Sequence, residues 1–275
     1  MKYWSDSHNS AFGCTRCSPG CSECWAEKTC ARMAESPATA KLTEAAVHKG
    51  MWTGAVVCHQ DRIPMKLDRT PRAVVFAMCW LTDLFHRRVP SNFIRAQLLE
   101  VNRQARVRWA AGRPPHRYLF LTRRYERMAY EVSNLLVDVR DIPGALFGAT
   151  CCTAAELVEA DAALAHLNAP RWLSLEPLMS DPEMRLVGTV DWKWLVLGGQ
   201  SNGRPLALSH ARQVRDWCIE TETPLLFKQH GGRNREQPPT IDGETFLFTP
   251  DGSLVLVDPK GADAPAGITG KWSWS

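Results

Sequence analysis

The sequence predicts an α/β fold: a full or partial (β/α) barrel of about six or seven parallel strands, with a small hairpin appended at the C-terminal end. Three observations carry that prediction. Apolar, β-rich runs recur without the alternation of a half-exposed sheet, as strands buried on both faces do. Segments with apolar residues at helical spacing separate them. The first strand-to-helix turn lacks the GxGxxG of a dinucleotide-binding sheet and holds a cysteine cluster instead. That favours a barrel with its cofactor at the carboxyl ends of the strands over an open doubly wound sheet.

Taken in order, a short first strand is expected near 3–5. The runs 73–79 (AVVFAMC), 117–121 (RYLFL), 145–150 (ALFGAT), 171–175 (RWLSL), 192–198 (WKWLVLG) and 224–228 (PLLFK) supply the rest. Between them, 92–110 places Phe93, Ile94, Leu98, Leu99 and Val101 at helical spacing, and 154–167 does the same. Residues 208–222 repeat the pattern through Ala211, Val214 and Trp217, with Ser209 as N-cap. Residues 41–67 are less regular, with a strand expected at 55–59, and read as an insertion on the barrel. After Lys228 the stretch HGGRNREQPPTIDG is loop-like; 245–248 and 254–257 then flank Pro250-Asp251-Gly252, a hairpin turn signature. The expected organisation is a barrel over 1–232 and a hairpin with tail over 233–275.

A chain of 275 residues, 45% hydrophobic, buries one large core or two small ones, which excludes a stapled miniprotein and a disordered tail. Its 33 basic and 29 acidic residues leave a net charge of +4, which permits a nucleic-acid partner without demanding one. No run reaches the roughly 18 to 20 apolar residues of a membrane span. The start, MKYWSDSHNS, lacks a basic region followed by an apolar stretch. A cytoplasmic chain with no membrane partner is expected.

Of ten cysteines, four fall within eleven residues: Cys14, Cys17, Cys21 and Cys24. A disulfide framework spreads its half-cystines to cross-link distant segments, so clustered thiols point to a metal. Cys17, Cys21 and Cys24 form CxxxCxxC, the spacing with which radical S-adenosylmethionine enzymes hold three irons of a [4Fe-4S] cluster. The fourth iron stays open to chelate the amino and carboxylate groups of S-adenosylmethionine and to pass an electron to its sulfonium. Structural zinc is the competing reading, but only three residues separate the two CxxC pairs, whereas zinc ribbons leave roughly 15 to 20.

Beyond these thiols, WSDSHNSAFGC and SPGCSECWAE resemble the start of a family of uncharacterised phage and bacterial proteins. TDLFHRRVP, LTRRYERM, RWLSLEPL, WLVLGGQSN with GRPL, and LLFKQHGG are similar to further family motifs, in order, over about 4–232. The resemblance implies a radical-SAM-like (β/α) barrel. It also places the family's first cysteine at Cys14, giving a set of Cys14, Cys21 and Cys24. Cys17 stands where the family carries an aliphatic residue, so two candidates remain for the first ligand. Glu23 stands where an aromatic often precedes the third ligand of radical SAM enzymes, and Trp25 follows instead.

Polar residues just past the apolar runs are the remaining candidates, because reactive groups of such barrels sit on the loops after the strands. Asp83 and His86, in TDLFH, and Thr122, at the end of its run, are candidates for cofactor binding; Asp83 is equally readable as a helix cap. Glu176 needs a cation, with Lys228 and Arg123 as the natural partners, and either a catalytic pair or a structural ion pair fits. Gly198, Gly199 and Gln200 would let a backbone approach a ligand, or simply turn the chain. Cys151 and Cys152 are read as a candidate hydrogen-atom donor pair, or as small semi-buried side chains. Arg87, Arg88, Arg123, Arg124 and the 113–117 stretch are basic clusters, readable as phosphate contacts or as solvated faces.

The function these readings predict is a radical S-adenosylmethionine enzyme with a [4Fe-4S] cluster, supplied with electrons by a flavodoxin or ferredoxin. The resemblance to phage proteins suggests a nucleobase in DNA as the substrate. The alternatives are a zinc-stabilised barrel with a hydrolytic or ligand-binding role, and a non-catalytic phage interaction protein.

Overall fold

The computed structural model of the chain describes residues 3–65, 72–201, 203–232 and 239–248. The elements begin with β1 (Asp6–His8), β2 (Ala11–Phe12), α1 (Trp25–Glu35), α2 (Ala40–Thr43), β3 (Val47–His48), β4 (Met51–Trp52) and β5 (Val57–Cys58). There follow β6 (Val75–Met78), α3 (Ser91–Ala110), β7 (Arg117–Thr122), α4 (Tyr125–Val139), β8 (Ala145–Thr150), α5 (Ala154–Leu164) and β9 (Arg171–Leu175). The described part closes with β10 (Trp192–Gly198), α6 (Leu208–Glu220), β11 (Leu225–Gln229), β12 (Thr240–Ile241) and β13 (Glu244–Thr245).

Seven strands form one parallel sheet in the order β1-β6-β7-β8-β9-β10-β11. Spatial order follows chain order without a reversal. A doubly wound sheet reverses its order at a switch point, so this connectivity is that of a partial (β/α) barrel. Strands β6 to β10 are buried almost throughout, β8 at every position, which accounts for their unbroken apolar sequences, whereas the edge strand β1 is polar and largely exposed.

The chain divides into two compact units. One comprises 4–148 with 166–169; its core holds Phe12, Phe85, Phe93 and Tyr118, and stacks Phe120 on Phe147 with centroids 5.3 Å apart. The other comprises Tyr3, 149–165 and the described residues from 170 onward. Its centre is a cluster of Tyr3, Trp172 and Trp194, with the two indoles 5.1 Å apart and the phenol ring 5.3 Å from Trp194. Such packing uses three of the largest side chains where they are removed from water.

Three details differ from expectation. The first strand starts at Asp6, because Tyr3 is drawn into the aromatic cluster and Trp4 packs on Trp80 at 4.7 Å. Ser209 lies inside α6, which begins at Leu208 with Ala207 in the cap position. A hairpin that the sequence reading does not place, β12–β13, turns at Asp242 (φ +56°) and Gly243 (φ +84°), the left-handed pair that a tight hairpin requires. In the expected arm 245–248, residues 246–248 run antiparallel along β11: Leu247 bridges Leu226, and Phe248 N–H donates to Leu225 O at 3.1 Å. The expected arm 254–257 lies outside the described residues.

The insertion is built around α1. β3 and β4 form a hairpin over Lys49 and Gly50, and β5 pairs antiparallel with β2, joining Ala11 to Cys58 and Phe12 to Val57. Phe12, Ala26, Cys30, Ala46, Val47 and Leu81 make one apolar cluster beneath the loop that leads from β2 into α1. Gly13 opens that loop at φ +99°, and a Cβ there would stand 2.2 Å from Ala55 O, so glycine is the residue that fits. Its carbonyl accepts from Thr82 Oγ1 and its N–H donates to Leu81 O, which fixes the loop to the exit of β6.

Candidate functional site

All four clustered cysteines lie on this loop. Ser18 caps a short 3-10 turn over Pro19–Glu23, accepting from Gly20 N–H at 3.2 Å, and Cys24 stands at the cap position of α1. Cys17 is exposed, and Cys14, Cys21 and Cys24 are half-buried. The Cys17 thiol hydrogen-bonds the Cys21 sulfur, which pulls Cys21 down to about 5 with help from Arg123 and holds Cys17 far above its usual value. At neutral pH that pair is one thiolate sharing one proton-bearing neighbour. Burial pushes Cys14 up to about 11 and raises Cys24 also, against the favourable N–H groups of Ala26 and Glu27 at the start of α1. Among the described residues, no three His, Cys, Asp or Glu side chains are gathered to hold a single metal ion.

A buried charge network holds the loop. Asp83 Oδ1 accepts from Thr122 Oγ1 at 2.7 Å and Phe85 N–H at 3.0 Å; Oδ2 accepts from Arg124 Nη1 at 2.6 Å and Arg123 N–H at 3.2 Å. The carboxylate is thus fully used inside the protein, and it ties the exit of β6 to the end of β7. It caps no helix: its bond to Phe85 closes a local turn. From the far side of its guanidinium, Arg124 donates to Thr15 O and Thr15 Oγ1, each at 3.1 Å, and Arg123 Nη1 reaches Ser18 Oγ at 2.8 Å. Arg16 meets buried Glu27 at 2.6 Å, and Glu27 also accepts from Trp52 N–H.

His86 completes this frame. Its Nδ1 accepts from Arg88 N–H at 3.1 Å, so the proton sits on Nε2, which donates to Thr15 Oγ1 at 2.8 Å. Burial, then the neighbouring Arg124 cation, lowers His86 to about 4, which keeps the ring neutral. His86 directly, and Asp83 through Arg124, thus hold Thr15, one residue from Cys14, and Thr122 joins this frame at Asp83.

The other candidates lie in the second unit. Glu176, past β9, forms an ion pair with Lys228 on β11, one of the two partners anticipated for it. Lys228 Nζ stands 5.7 Å from the Tyr3 ring centroid, and the Tyr3 hydroxyl meets Ser174. Burial raises the Tyr3 phenol well above its ordinary value, and the Glu176 charge adds to this, so the hydroxyl keeps its proton. Cys151 and Cys152 are wholly buried; Cys151 Sγ points at Glu156 O, and Cys152 N–H donates to the Glu156 carboxylate at 2.6 Å. Gly198 lies against Glu176, and a Cβ on Gly199 would stand 2.0 Å from His230 O. Gln200 O accepts from Gly232 N–H at 2.7 Å. The close approach that Gly199 allows is to the loop after β11, and that of Gly198 is to Glu176.

A protein family described as Protein of unknown function (DUF5131) matches residues 1–260. The chain belongs to that family. No curated protein and no solved structure matches it. Within this DUF5131 chain, the motifs TDLFHRRVP and LTRRYERM supply the two halves of the Asp83 network, and LEPL and LLFKQHGG supply the two halves of the Glu176 pair. Thr15, Arg124 and Arg127 carry the frame; sequence reasoning does not single out Thr15 or Arg127, and reads Arg124 as part of a basic cluster, not as the partner of Asp83. The available signal is the run Arg123-Arg124 directly after a buried strand, where a cation demands a carboxylate. No helix among the described residues is long and apolar enough to cross a membrane.

Proposed function

We propose that the chain is a radical S-adenosylmethionine enzyme whose cysteine loop holds a [4Fe-4S] cluster through Cys21, Cys24 and one of Cys14 and Cys17. The observation that carries this reading is a loop of four thiols held at the carboxyl ends of parallel strands by Asp83, Arg123, Arg124 and His86. The donor set fits: thiolates are the ligands of iron-sulfur clusters, and Cys21 is already favoured in that form. Spacing argues against structural zinc, because three residues separate the two CxxC pairs where zinc ribbons leave roughly 15 to 20.

When bound, such a cluster supplies the electron that cleaves S-adenosylmethionine and yields a 5′-deoxyadenosyl radical able to take hydrogen from a substrate carbon. The protein's own residues fix the thiol loop and keep its surroundings ordered. Arg124 and His86 anchor Thr15 beside Cys14, Arg123 anchors Ser18 between Cys17 and Cys21, and Gly13 sets the loop's departure from β2. Neutral His86 serves as a donor to Thr15, with no charge added beside the thiols. The reading includes reduction by a flavodoxin or ferredoxin, and a nucleobase in DNA as substrate, the latter resting on the resemblance to phage proteins.

Anaerobic purification tests it. The expected result is a brown protein with about four irons and four sulfides per chain, lost in Cys21→Ala and Cys24→Ala, that forms 5′-deoxyadenosine from S-adenosylmethionine once reduced. Cys14→Ala and Cys17→Ala, made singly, name the remaining ligand. A colourless protein with stoichiometric zinc overturns the proposal.

A further inference from the structure

Beside the cysteine loop the charge is mostly positive, and the exposed acid of that loop, Glu23, is paired with Lys28. The loops after β2, β6 and β7, residues 13–24, 79–90 and 123–124, carry five arginines (Arg16, Arg87, Arg88, Arg123, Arg124) and no lysine, although the whole chain has a net charge of only +4. Two of them meet carboxylates lying below the surface: Arg124 meets Asp83, and Arg16 meets Glu27. Arg87 and Arg88 are exposed.

The turn that displays these two is rigid. Arg127 donates from Nη1 to His86 O at 2.8 Å and from Nη2 to Val89 O at 2.7 Å, so one guanidinium holds the backbone on both sides of the pair. Val89 N–H closes the same turn onto His86 O. Arg88 reaches the Gly54 carbonyl, and Gly54 lies against Thr15 beside Cys14. Immediately after Cys24, the Trp25 indole is 51% exposed at the first position of α1. An aromatic left in water at the end of the cysteine loop, with exposed arginines on a fixed turn bordering the same loop at Thr15 through Gly54, is a combination that single-stranded nucleic acids engage. Guanidinium forks take phosphate oxygens two at a time, and the ring takes a base face. S-adenosylmethionine has one carboxylate and a sulfonium cation, and leaves this surplus of positive charge unexplained.

We infer that this surface binds a single-stranded nucleic acid, with Arg87 and Arg88 on the phosphodiester backbone and Trp25 stacked on a base. The inference deepens the proposed function by naming how such a substrate is held, but it stands on different side chains, and its test needs no cluster.

The test is fluorescence anisotropy of the metal-free full chain with a labelled single-stranded DNA 15-mer of mixed sequence, repeated across a salt series. R87A/R88A is expected to weaken binding at least tenfold and to flatten the plot of log affinity against log salt by about 1.4, close to 0.7 for each phosphate that the variant no longer neutralises. W25A is expected to weaken binding at least fivefold with the slope unchanged, and W25F to restore most of it. Circular dichroism melting checks that each variant is folded. Wild-type protein that fails to bind, or a double variant with the wild-type slope, overturns the inference. So does displacement of the DNA by polyglutamate at equal charge concentration, which would assign the surface to an acidic protein. Failure to retain iron leaves this result standing, and failure to bind DNA leaves the cluster standing.

Discussion

The strand ends of the two units are built on opposite principles. In the unit of 4–148, the loops after β6 and β7 are held by side chains: Asp83 takes four hydrogen bonds, and Arg124, Arg127 and His86 pass them on to Thr15 and to backbone carbonyls. In the other unit, the loops after β10 and β11 meet backbone to backbone at Gly199, Gln200 and His230, with the Glu176–Lys228 pair beside them. A side-chain frame holds an irregular loop wherever its donors reach, so it can present four thiols on a segment with little regular structure. A glycine-mediated approach closes space and leaves little room for a guest.

The comparison can be broken in four places. Asp83→Ala removes the hub and leaves Arg124, whose side chain is only 16% exposed, without its carboxylate; a loss of about 3 to 5 kcal/mol in urea unfolding is expected. Gly199→Ala forces a methyl into the His230 carbonyl and should cost about 1 to 3 kcal/mol, with the loop around Thr15 unaffected in hydrogen exchange. Lys228→Met, made at a pair 17–18% exposed on both partners, should cost about 1 to 2 kcal/mol, less than Asp83→Ala because it removes one ion pair where Asp83→Ala removes an acceptor of four hydrogen bonds.

The pH dependence gives the smallest and most selective signal. His86 titrates at about 4 in the folded chain against an ordinary value near 6.5, so the unfolded chain takes up its proton first as the pH falls. The stability that His86 contributes is therefore complete above about pH 6.5 and is lost as the pH drops toward about 4. His86→Gln should flatten unfolding free energy against pH in that window, as measured by urea titrations at pH 7, 6, 5 and 4.5.

Much of the architecture is legible in the sequence because β8, β9 and β10 are continuous apolar runs, and in each the expected limits coincide with the strand. Helix α4 is absent from the sequence reading although Tyr125, Met128, Val132 and Leu135 recur at helical spacing and are buried. The hairpin turning at Asp242-Gly243 is absent from the sequence reading, which uses the second Asp-Gly pair, at 251–252 and outside the described residues; local turn chemistry alone does not rank the two. Of the site, the Glu176–Lys228 pair is legible, since a carboxylate and an ammonium at two buried strand ends each need a partner. The Asp83–Arg124 pair, 41 residues apart, is not, because Arg123 and Arg124 are equivalent until the register of β7 against β6 is known. Nor does spacing tell Cys14 from Cys17, because both ride the same loop.

The pairing of Leu247 with Leu226 has a bearing on what a shortened chain would do. A peripheral strand with vacant amides is an invitation to the next copy of the same chain, and here residues 246–248 decline that invitation from within, the Phe248 carbonyl being held by the Trp194 indole at 2.7 Å. Any version trimmed ahead of Thr245 would leave β11 uncovered, and its solubility, more than its melting point, would register the difference.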